Sequence, residues 1–242
     1  MKELLDVLHE DNHTIVVNKK PSEIVQGDKT GDEPMPEKIK RYLKEKYDKP
    51  GNVFCGVVHR LDRPTSGAIV FARTSKALER LNKQFRDKET NKIYWAVVET
   101  KPSKKQERLV NWLQKNEKQN KSYVVDGSKN KDAKEAILTY RLLSSSDKYH
   151  LLEITLETGR HHQIRCQLAN IGCIIKGDLK YGAKRSNKDG SIHLHARSLQ
   201  FTHPTSLEEI NVIAPVPNDP LWQFFEKEVS SKSNKEKVVN EH

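Results

Sequence analysis

The sequence predicts an α+β fold. Runs rich in β-branched and aromatic residues outnumber helical stretches, and helices are scattered among them. Strand and helix do not alternate with the regularity a doubly wound parallel sheet requires. The 242 residues suffice for one large domain or two closely fused subdomains.

The elements follow in order. His13 to Lys20 (HTIVVNKK) is a strand ended by Pro21, and Gln26 to Asp32 is a loop. Pro34 to Tyr47 is a Lys- and Glu-rich helix, with Pro34 and Pro36 near its start, where a missing N–H does no harm. Pro50-Gly51 breaks the chain after it. Two apolar runs, Val53 to Val58 and Ala68 to Ala72, are strands joined by a charged connection that Ser66-Gly67 closes. Thr74 or Ser75 caps a helix with Ala77, Leu78, Leu81 and Phe85 on one face. Ile93 to Glu99 (IYWAVVE) is a central strand. Lys101 to Lys131, dense in Lys, Asn and Gln around a short apolar patch at Leu109 to Leu113, reads as a mobile basic hairpin or loop excursion. Ala136 to Leu143 and His150 to Leu156 pair across the turn at Ser144 to Asp147. His161 to Ile171 is a helix stopped by Gly172, and Tyr181 to Gly190 a loop. Ile192 to Phe201 and Ile210 to Ala214 are strands. Asp219-Pro220 opens a last helix carrying Leu221, Trp222, Phe224 and Phe225. From Ser230 the chain is polar and reads as disordered. The expected organisation is one domain over 1–229 with a basic excursion at 101–131, then a disordered tail over 230–242.

Charge narrows the partners. Lys and Arg number 43 against 33 acids, a formal net charge of +10, which favours nucleic acid before an anionic membrane surface. No apolar run approaches the roughly 18 residues of a spanning helix, and Met1 to Asp6 lacks the apolar centre of a signal peptide. Cys55, Cys166 and Cys173 sit in apolar contexts and read as reduced, buried thiols of a cytosolic protein. Cys166 and Cys173 are seven apart, a poor zinc spacing. There is no P-loop, GxGxxG or HExxH, so neither cofactor nor metal is expected. His193 and His195, two apart on a strand, share a side. With His161, His162 or Asp178 they are the one metal site worth naming, and a hydrogen-bonded core or RNA-facing role is preferred.

Chemistry concentrates in three places. On His59-Arg60-Leu61-Asp62-Arg63-Pro64-Thr65-Ser66-Gly67, two arginines flank Asp62 and favour its ionised form, which suits a nucleophile or base. Alone, such an Asp is most often a surface ion pair. Lys92-Ile93-Tyr94-Trp95-Ala96 sets an aromatic on a strand. In Thr158-Gly159-Arg160-His161-His162-Gln163-Ile164-Arg165, Gly159 permits a sharp turn before the helix, and Arg165 lies one turn beyond His162 on the same face.

The nonamer resembles the signature loop HRLDRxTSG of the RluA-type RNA pseudouridine synthases. The second stretch is similar to that family's KxYxA, and the third matches TGRxHQIR at every fixed position. Gln167 to Gly182 is similar to HLAxxGxPIxGDxxYG, with Gln167 for the usual His and Ile174 for the usual Pro. Val16 to Pro21 is similar to VxNKP with one extra Lys, and His193 to Pro204 to the closing LHAxxLxFxHP. The resemblance runs from about residue 5 to about 225. Too few residues precede His13 to build the S4 domain that many relatives carry.

The resemblance implies a long mixed, mainly antiparallel sheet with flanking helices and a central cleft. It implies a cofactor-free isomerase converting uridines of tRNA or rRNA to pseudouridine. Asp62 is then the catalytic carboxylate, Tyr94 stacks on the uracil, and Arg165 pairs with Asp62 through its planar guanidinium. His59, Arg60, Arg63, Arg160 and Ile164 fall in the same motifs and are expected to contact RNA or substrate. The target uridine must leave its helix to react. The partner is RNA and no membrane, the protein a cytoplasmic monomer. Lys101, Lys104, Lys105, Arg108, Lys115, Lys118 and Lys121, against Glu107 and Glu117, make the excursion a candidate RNA clamp, with a solvated charged loop as the alternative. Two rivals stand beside this reading. A non-catalytic RNA-binding protein that keeps the fold is disfavoured because Asp62, Tyr94 and Arg165 are all present. A metal-dependent hydrolase would rest on the histidines.

Overall fold

The computed structural model describes residues 5–240, with side chains through Lys232. Along the chain come β1 (Val7–Glu10), β2 (Thr14–Lys19), α1 (Met35–Lys46), β3 (Gly56–Val57), β4 (Ser66–Ala72), α2 (Ser75–Asp87), β5 (Asn91–Val98), β6 (Gln106–Asn116) and β7 (Lys121–Val125). Then follow β8 (Lys134–Ser145), β9 (His150–Leu156), α3 (Gln163–Asn170), a 3-10 turn (Leu179–Tyr181), β10 (Leu194–Thr202), β11 (Glu209–Ile213) and α4 (Pro220–Asn240). The expected α+β class holds, with mixed, mainly antiparallel pairing. The chain divides into two compact units, Met1–Tyr94 with Asn187–Pro215, and Trp95–Ser186 with Val216–His242. Strand β5 begins in one and ends in the other.

In the first unit the strands run β1–β2–β4–β10, with β11 beside β10. Every one of these pairs is antiparallel except β4 with β10. Strand β2 covers one edge of β4 from Gly67 to Ala72. The opposite edge is shared: β10 takes Ser66 and Gly67, and β3 takes Phe71 and Ala72. The Val53 to Val58 run was expected to be extended throughout, yet only Gly56–Val57 finds this free stretch of edge. Gly67 has φ +115°, and a Cβ there would lie 2.4 Å from the Ala196 carbonyl oxygen. Only glycine allows β4 and β10 to approach so closely. Val16, Val70 and Ala72 pack with Ala77 and Leu81 of α2 and Phe201 of β10. Helix α2 opens at Thr74, whose hydroxyl accepts the Ala77 N–H at 3.1 Å. Helix α1 buries Met35, Ile39 and Leu43, four residues apart. Strand β1 was not anticipated; it is a short, half-buried edge with a bulge between Val7 and His9.

In the second unit the order is β9–β8–β6–β7, all antiparallel. Of the two readings of residues 101–131, the structure has the hairpin, β6 with β7, and not the loop excursion. Strand β6 is interior to the sheet, paired with β8 from Gln106 to Leu113 and with β7 from Trp112 to Asn116. Helix α3 starts at Gln163, two residues later than expected, because His162 takes φ +52°. The left-handed residue of this turn is His162 and not Gly159. Gly172, at φ +78°, follows the end of α3 as expected. Asp219 accepts the N–H groups of Leu221 and Trp222 at 2.9 and 3.2 Å and caps α4, with Pro220 in the first turn. The tail expected to be disordered continues this helix to Asn240. Lys232 fastens it by donating to Leu143 O at 3.1 Å and Ser144 Oγ at 3.2 Å. Glu241 and His242 lie outside the described residues.

All three cysteines are unpaired; Cys166 and Cys173 are buried and Cys55 half-buried. Burial pushes the Cys166 and Cys173 thiols up to about 11. Among the described residues no helix is long and apolar enough to cross a membrane.

Candidate active site

The connection carrying Asp62 is fixed through its backbone. The Thr65 N–H closes a turn on Asp62 O at 3.0 Å. Arg63 O accepts from the Ser22 N–H at 2.9 Å and from Lys19 Nζ at 3.1 Å. Pro64 O accepts from the Ile192 N–H at 3.2 Å. Thr65 O accepts from Lys19 Nζ at 2.7 Å. Each carbonyl from Asp62 to Thr65 thus has a donor, which fixes the path of the loop. Leu61 is buried below, and Asp62 is left half-buried.

Lys19 is the residue that sequence reasoning passed over. It is fully buried, and its third donor goes to Lys20 O at 3.0 Å. Three carbonyls match the three N–H groups of an ammonium. Burial pushes Lys19 down to about 7, while the charges of Glu23 and Asp62 pull it up. The extra Lys before Pro21 was its signal: Lys19 closes the strand facing inward and Lys20 is exposed.

The neighbours of Asp62 divide between fold and surface. His59 stacks on Phe85 with ring centres 4.6 Å apart, and its Nε2 accepts the Val70 N–H at 3.2 Å. The structure thus gives the half-buried His59 packing and hydrogen-bond contacts beside β4. Arg60 is exposed and donates to Gln26 Oε1 at 2.7 Å. Arg63 donates to Asp32 Oδ2 and Thr30 Oγ1, each at 2.6 Å, so both arginines hold the Gln26–Asp32 loop. Tyr94 lies in the same unit as Asp62 and is buried. Burial, with the Asp62 charge adding to it, raises the Tyr94 hydroxyl well above the ordinary phenol range. Tyr94 therefore stays protonated at neutral pH and can donate but not act as a base.

His195 ties the end of the loop to β10. Its Nε2 faces the Ala214 carbonyl at 3.2 Å and must donate, so Nδ1 accepts from the Ser66 hydroxyl at 2.9 Å. Burial pushes His195 down to about 4, the Ala214 bond opposing and Arg197 adding to the push. Burial, with Lys92, pushes His59 down to about 3. Unfolded histidine titrates near 6.5, so on acidification the unfolded chain takes up these protons first. The stability they contribute is whole above about pH 6.5 and falls as the pH drops toward 4. Urea midpoints should therefore decline between about pH 6.5 and 5, before most carboxylates titrate. His195→Gln, which cannot titrate, should flatten that decline; an equally steep decline would assign it to other groups.

Arg165 belongs to the second unit and has a carboxylate partner there. Its Nε and Nη2 donate to Asp178 Oδ2 and Oδ1 at 2.7 and 2.8 Å, a bidentate pair with both residues buried. Nη1 meets His162 Nε2 at 3.0 Å. An arginine only donates, so His162 Nε2 accepts and Nδ1 carries the proton, directed at the Tyr181 hydroxyl 3.1 Å away. That hydroxyl also accepts the Ser122 N–H at 3.0 Å and donates to Ser122 O at 3.1 Å. Asp178 and Tyr181 thus orient Arg165, directly and through His162. Both stood in the GDxxYG-like stretch, Asp178 weighed there only as a metal ligand and Tyr181 given no role.

The rest of the motif shapes the turn. Gln163 Oε1 accepts from the Thr158 hydroxyl at 2.8 Å and the Arg160 N–H at 2.9 Å. Ile164 is buried in α3, and Arg160 is exposed. Gln167, one of the two departures from the family pattern, is buried and donates to Asn111 Oδ1 at 2.8 Å and Ala136 O at 3.2 Å. It joins α3 to β6 and β8. Of the cations expected to grip RNA, Lys104, Arg108 and Lys115 have surface partners in Glu107, Glu157 and Glu117. His193 precedes β10 and bonds Asn187, so it does not form the strand pair with His195 that a metal site needed. Among the described residues no three His, Cys, Asp or Glu side chains gather as a metal would require.

Residues 13–170 match the model of a family described as RNA pseudouridylate synthase. An uncharacterized RNA pseudouridine synthase of Synechocystis sp. is 34% identical over 88% of this chain, which spans 66% of that protein's length. Ribosomal large subunit pseudouridine synthase D of Zymomonas mobilis is 31% identical over 95% of this chain and 74% of its own length. Among solved structures, human RNA pseudouridylate synthase domain containing 4 matches 93% of both chains with a TM-score of 0.75 at 23% identity, a likeness of fold.

Proposed function

We propose a reaction on one premise: this chain belongs to the RNA pseudouridylate synthase family, enzymes that isomerise uridine in RNA to pseudouridine. The proposed substrates are particular uridines of ribosomal RNA or tRNA. Ribosomal RNA is tested first, because the Zymomonas relative is named for the large ribosomal subunit. The observation that carries the reading is the loop whose four pinned carbonyls fix Asp62, the acid of the signature stretch, in the same unit as the buried Tyr94.

The reaction breaks the N1–C1′ bond, turns the uracil and joins C5 to C1′. The proton displaced from C5 is balanced by one gained at N1, so the sum is an isomerisation with no redox change and no water consumed. One carboxylate suffices to begin it. Three routes start from Asp62: attack at C1′, attack at C6, or removal of the C2′ proton to give a glycal. The uridine is flipped out to reach it. Tyr94 offers its ring to the uracil, and its hydroxyl is a donor at a developing anion. Arg165 enters as a guanidinium whose aim Asp178 and His162 set. We place the protein in the cytoplasm as a monomer, where its formal charge of +10 draws it to RNA.

The purified chain, given ribosomal RNA or tRNA labelled with tritium at uracil C5, should release tritium. Mapping pseudouridines in total RNA with and without the gene should then name the sites. RNA binding without tritium release from any RNA would make the protein a non-catalytic binder. Tyr94 separates two contributions. Tyr94→Phe keeps the ring, and if stacking is its work that variant should turn over near the wild-type rate. Tyr94→Leu should then fall about 10-fold or more, in line with the value of base stacking. Equal loss in both points to the hydroxyl, and full activity in both returns Tyr94 to the core.

A further inference from the structure

The β6–β7 hairpin carries aromatic rings on its outside. Trp112 is 43% exposed and Tyr123 39%. The other tryptophans, Trp95 and Trp222, are 5% and 3% exposed. Register sets Trp112 opposite Val125 and Gln114 opposite Tyr123, so Trp112 and Tyr123 are diagonal neighbours on one face. Val110, also exposed, extends that face.

The indole is a built surface. Gly127, in the turn after β7, lies against it so closely that a Cβ there would fall 2.4 Å from ring atoms. The turn is itself fixed: the Ser128 N–H and hydroxyl donate to Asp126 Oδ1 at 3.0 and 2.7 Å, and Asn130 Nδ2 donates to Asp126 O at 2.8 Å. Backbone therefore supports the ring on one side, and its exposed area lies away from that support. Cations flank the pair. Lys121 Nζ stands 5.2 Å from the Tyr123 ring centre. Arg160 donates through Nε to the carbonyl of Glu135, the residue opposite Trp112 on β8. From Lys101 to Lys131 nine Lys and Arg stand against three acids. Supported rings with positive neighbours complement a polyanion that itself presents flat π faces.

We propose that the outer face of this hairpin is a stacking platform for single-stranded RNA, with Trp112 and Tyr123 each taking one unpaired base. The proposal rests on the reading that the protein acts on RNA, and it adds where nucleotides other than the reacting uridine are held.

The probe is oligocytidylate, which contains no uridine to isomerise. Titrated into the full chain, it should quench tryptophan fluorescence to saturation, since Trp112 is the exposed reporter. A blunt RNA duplex of equal nucleotide number should quench far less, because its bases are already stacked. Trp112→Phe should lose the quench and keep most of the affinity, read by anisotropy of a labelled oligonucleotide. Trp112→Ala should weaken binding about tenfold. Its salt dependence should keep its slope, since no phosphate contact is removed. Gly127→Ala, which displaces the indole without removing it, should weaken binding too. Absent quenching, unchanged affinity in Trp112→Ala, or a flattened salt slope in that variant overturns the platform. So does a dimer, seen by sedimentation, that Trp112→Ala dissociates, for then a second copy of the chain covers the face. Quenching without tritium release from any RNA would remove the proposed reaction and leave the platform. Tritium release without quenching would do the reverse.

Discussion

Asp62→Asn should stop tritium release from C5-labelled RNA, with turnover falling on the order of 10⁴-fold, as when an enzyme loses the group that starts its chemistry. The substitution changes one atom. The turn is held through Asp62 O, which an asparagine presents equally to the Thr65 N–H at 3.0 Å. The carbonyls of Arg63, Pro64 and Thr65 keep their donors. With that backbone account unchanged the variant should stay folded, which its thermal midpoint checks. RNA affinity should hold as well, since removing one negative charge does not weaken attraction to phosphate. A secondary effect is expected at Lys19. The Asp62 charge raises its affinity for a proton, so Lys19 should lose that proton at lower pH in the variant. Substantial turnover by Asp62→Asn, and also by Asp62→Ala, which cannot revert by deamidation, would remove Asp62 from the reaction.

What the sequence disclosed follows a physical line. Strand β2, helices α1 and α2 and the β8–β9 pair were legible because apolar residues recur at the period of each element and caps or breakers stand at their ends. Strand β6 was legible only as an arm of a hairpin left open beside a loop, for the opposite reason. Its inner face reads Leu109, Asn111, Leu113, and the amide of Asn111 bonds the buried Gln167. Its outer face carries Val110 and Trp112. With polar residues inside and apolar ones outside, alternation is blurred and the lysines dominate the reading. The end of α4 was taken as disordered because it has little apolar content, yet Lys232 anchors it to Leu143 and Ser144 by contacts that no local pattern encodes. In the site, the motifs named Asp62, Tyr94 and Arg165 individually. The groups that orient them were not legible: Lys19 acts on a loop 44 residues away, and Asp178 reaches Arg165 across the turns at Gly172 and Gly177. His59 lay inside the signature loop, and nothing in that pattern shows that its ring stacks on Phe85.

Asp178→Asn tests the least legible of these contacts. Asp178 is 1% exposed and Arg165 5%. The substitution takes the Asp178 charge away from a buried guanidinium it pairs with at 2.7 and 2.8 Å, and breaking a buried pair in this way destabilises by about 3–5 kcal/mol. For a chain of this size the thermal midpoint should fall by roughly 6–20 °C. Asp178→Leu with Arg165→Met removes both charges and should be less destabilising than the sum of the two single changes, because neither desolvated ion remains. A double variant as unstable as that sum would mean the pair is not energetically coupled. The kinetic consequence is separate. Neither side chain is on the surface, so RNA affinity should stay near the parent value in Asp178→Asn. Turnover at saturating RNA, measured well below the lowered midpoint, should fall as Arg165 and His162 lose their fixed orientation. Lost affinity with unchanged turnover would place Asp178 in RNA binding. Unchanged turnover with the expected loss of stability would confine it to the fold and detach Arg165's orientation from the chemistry.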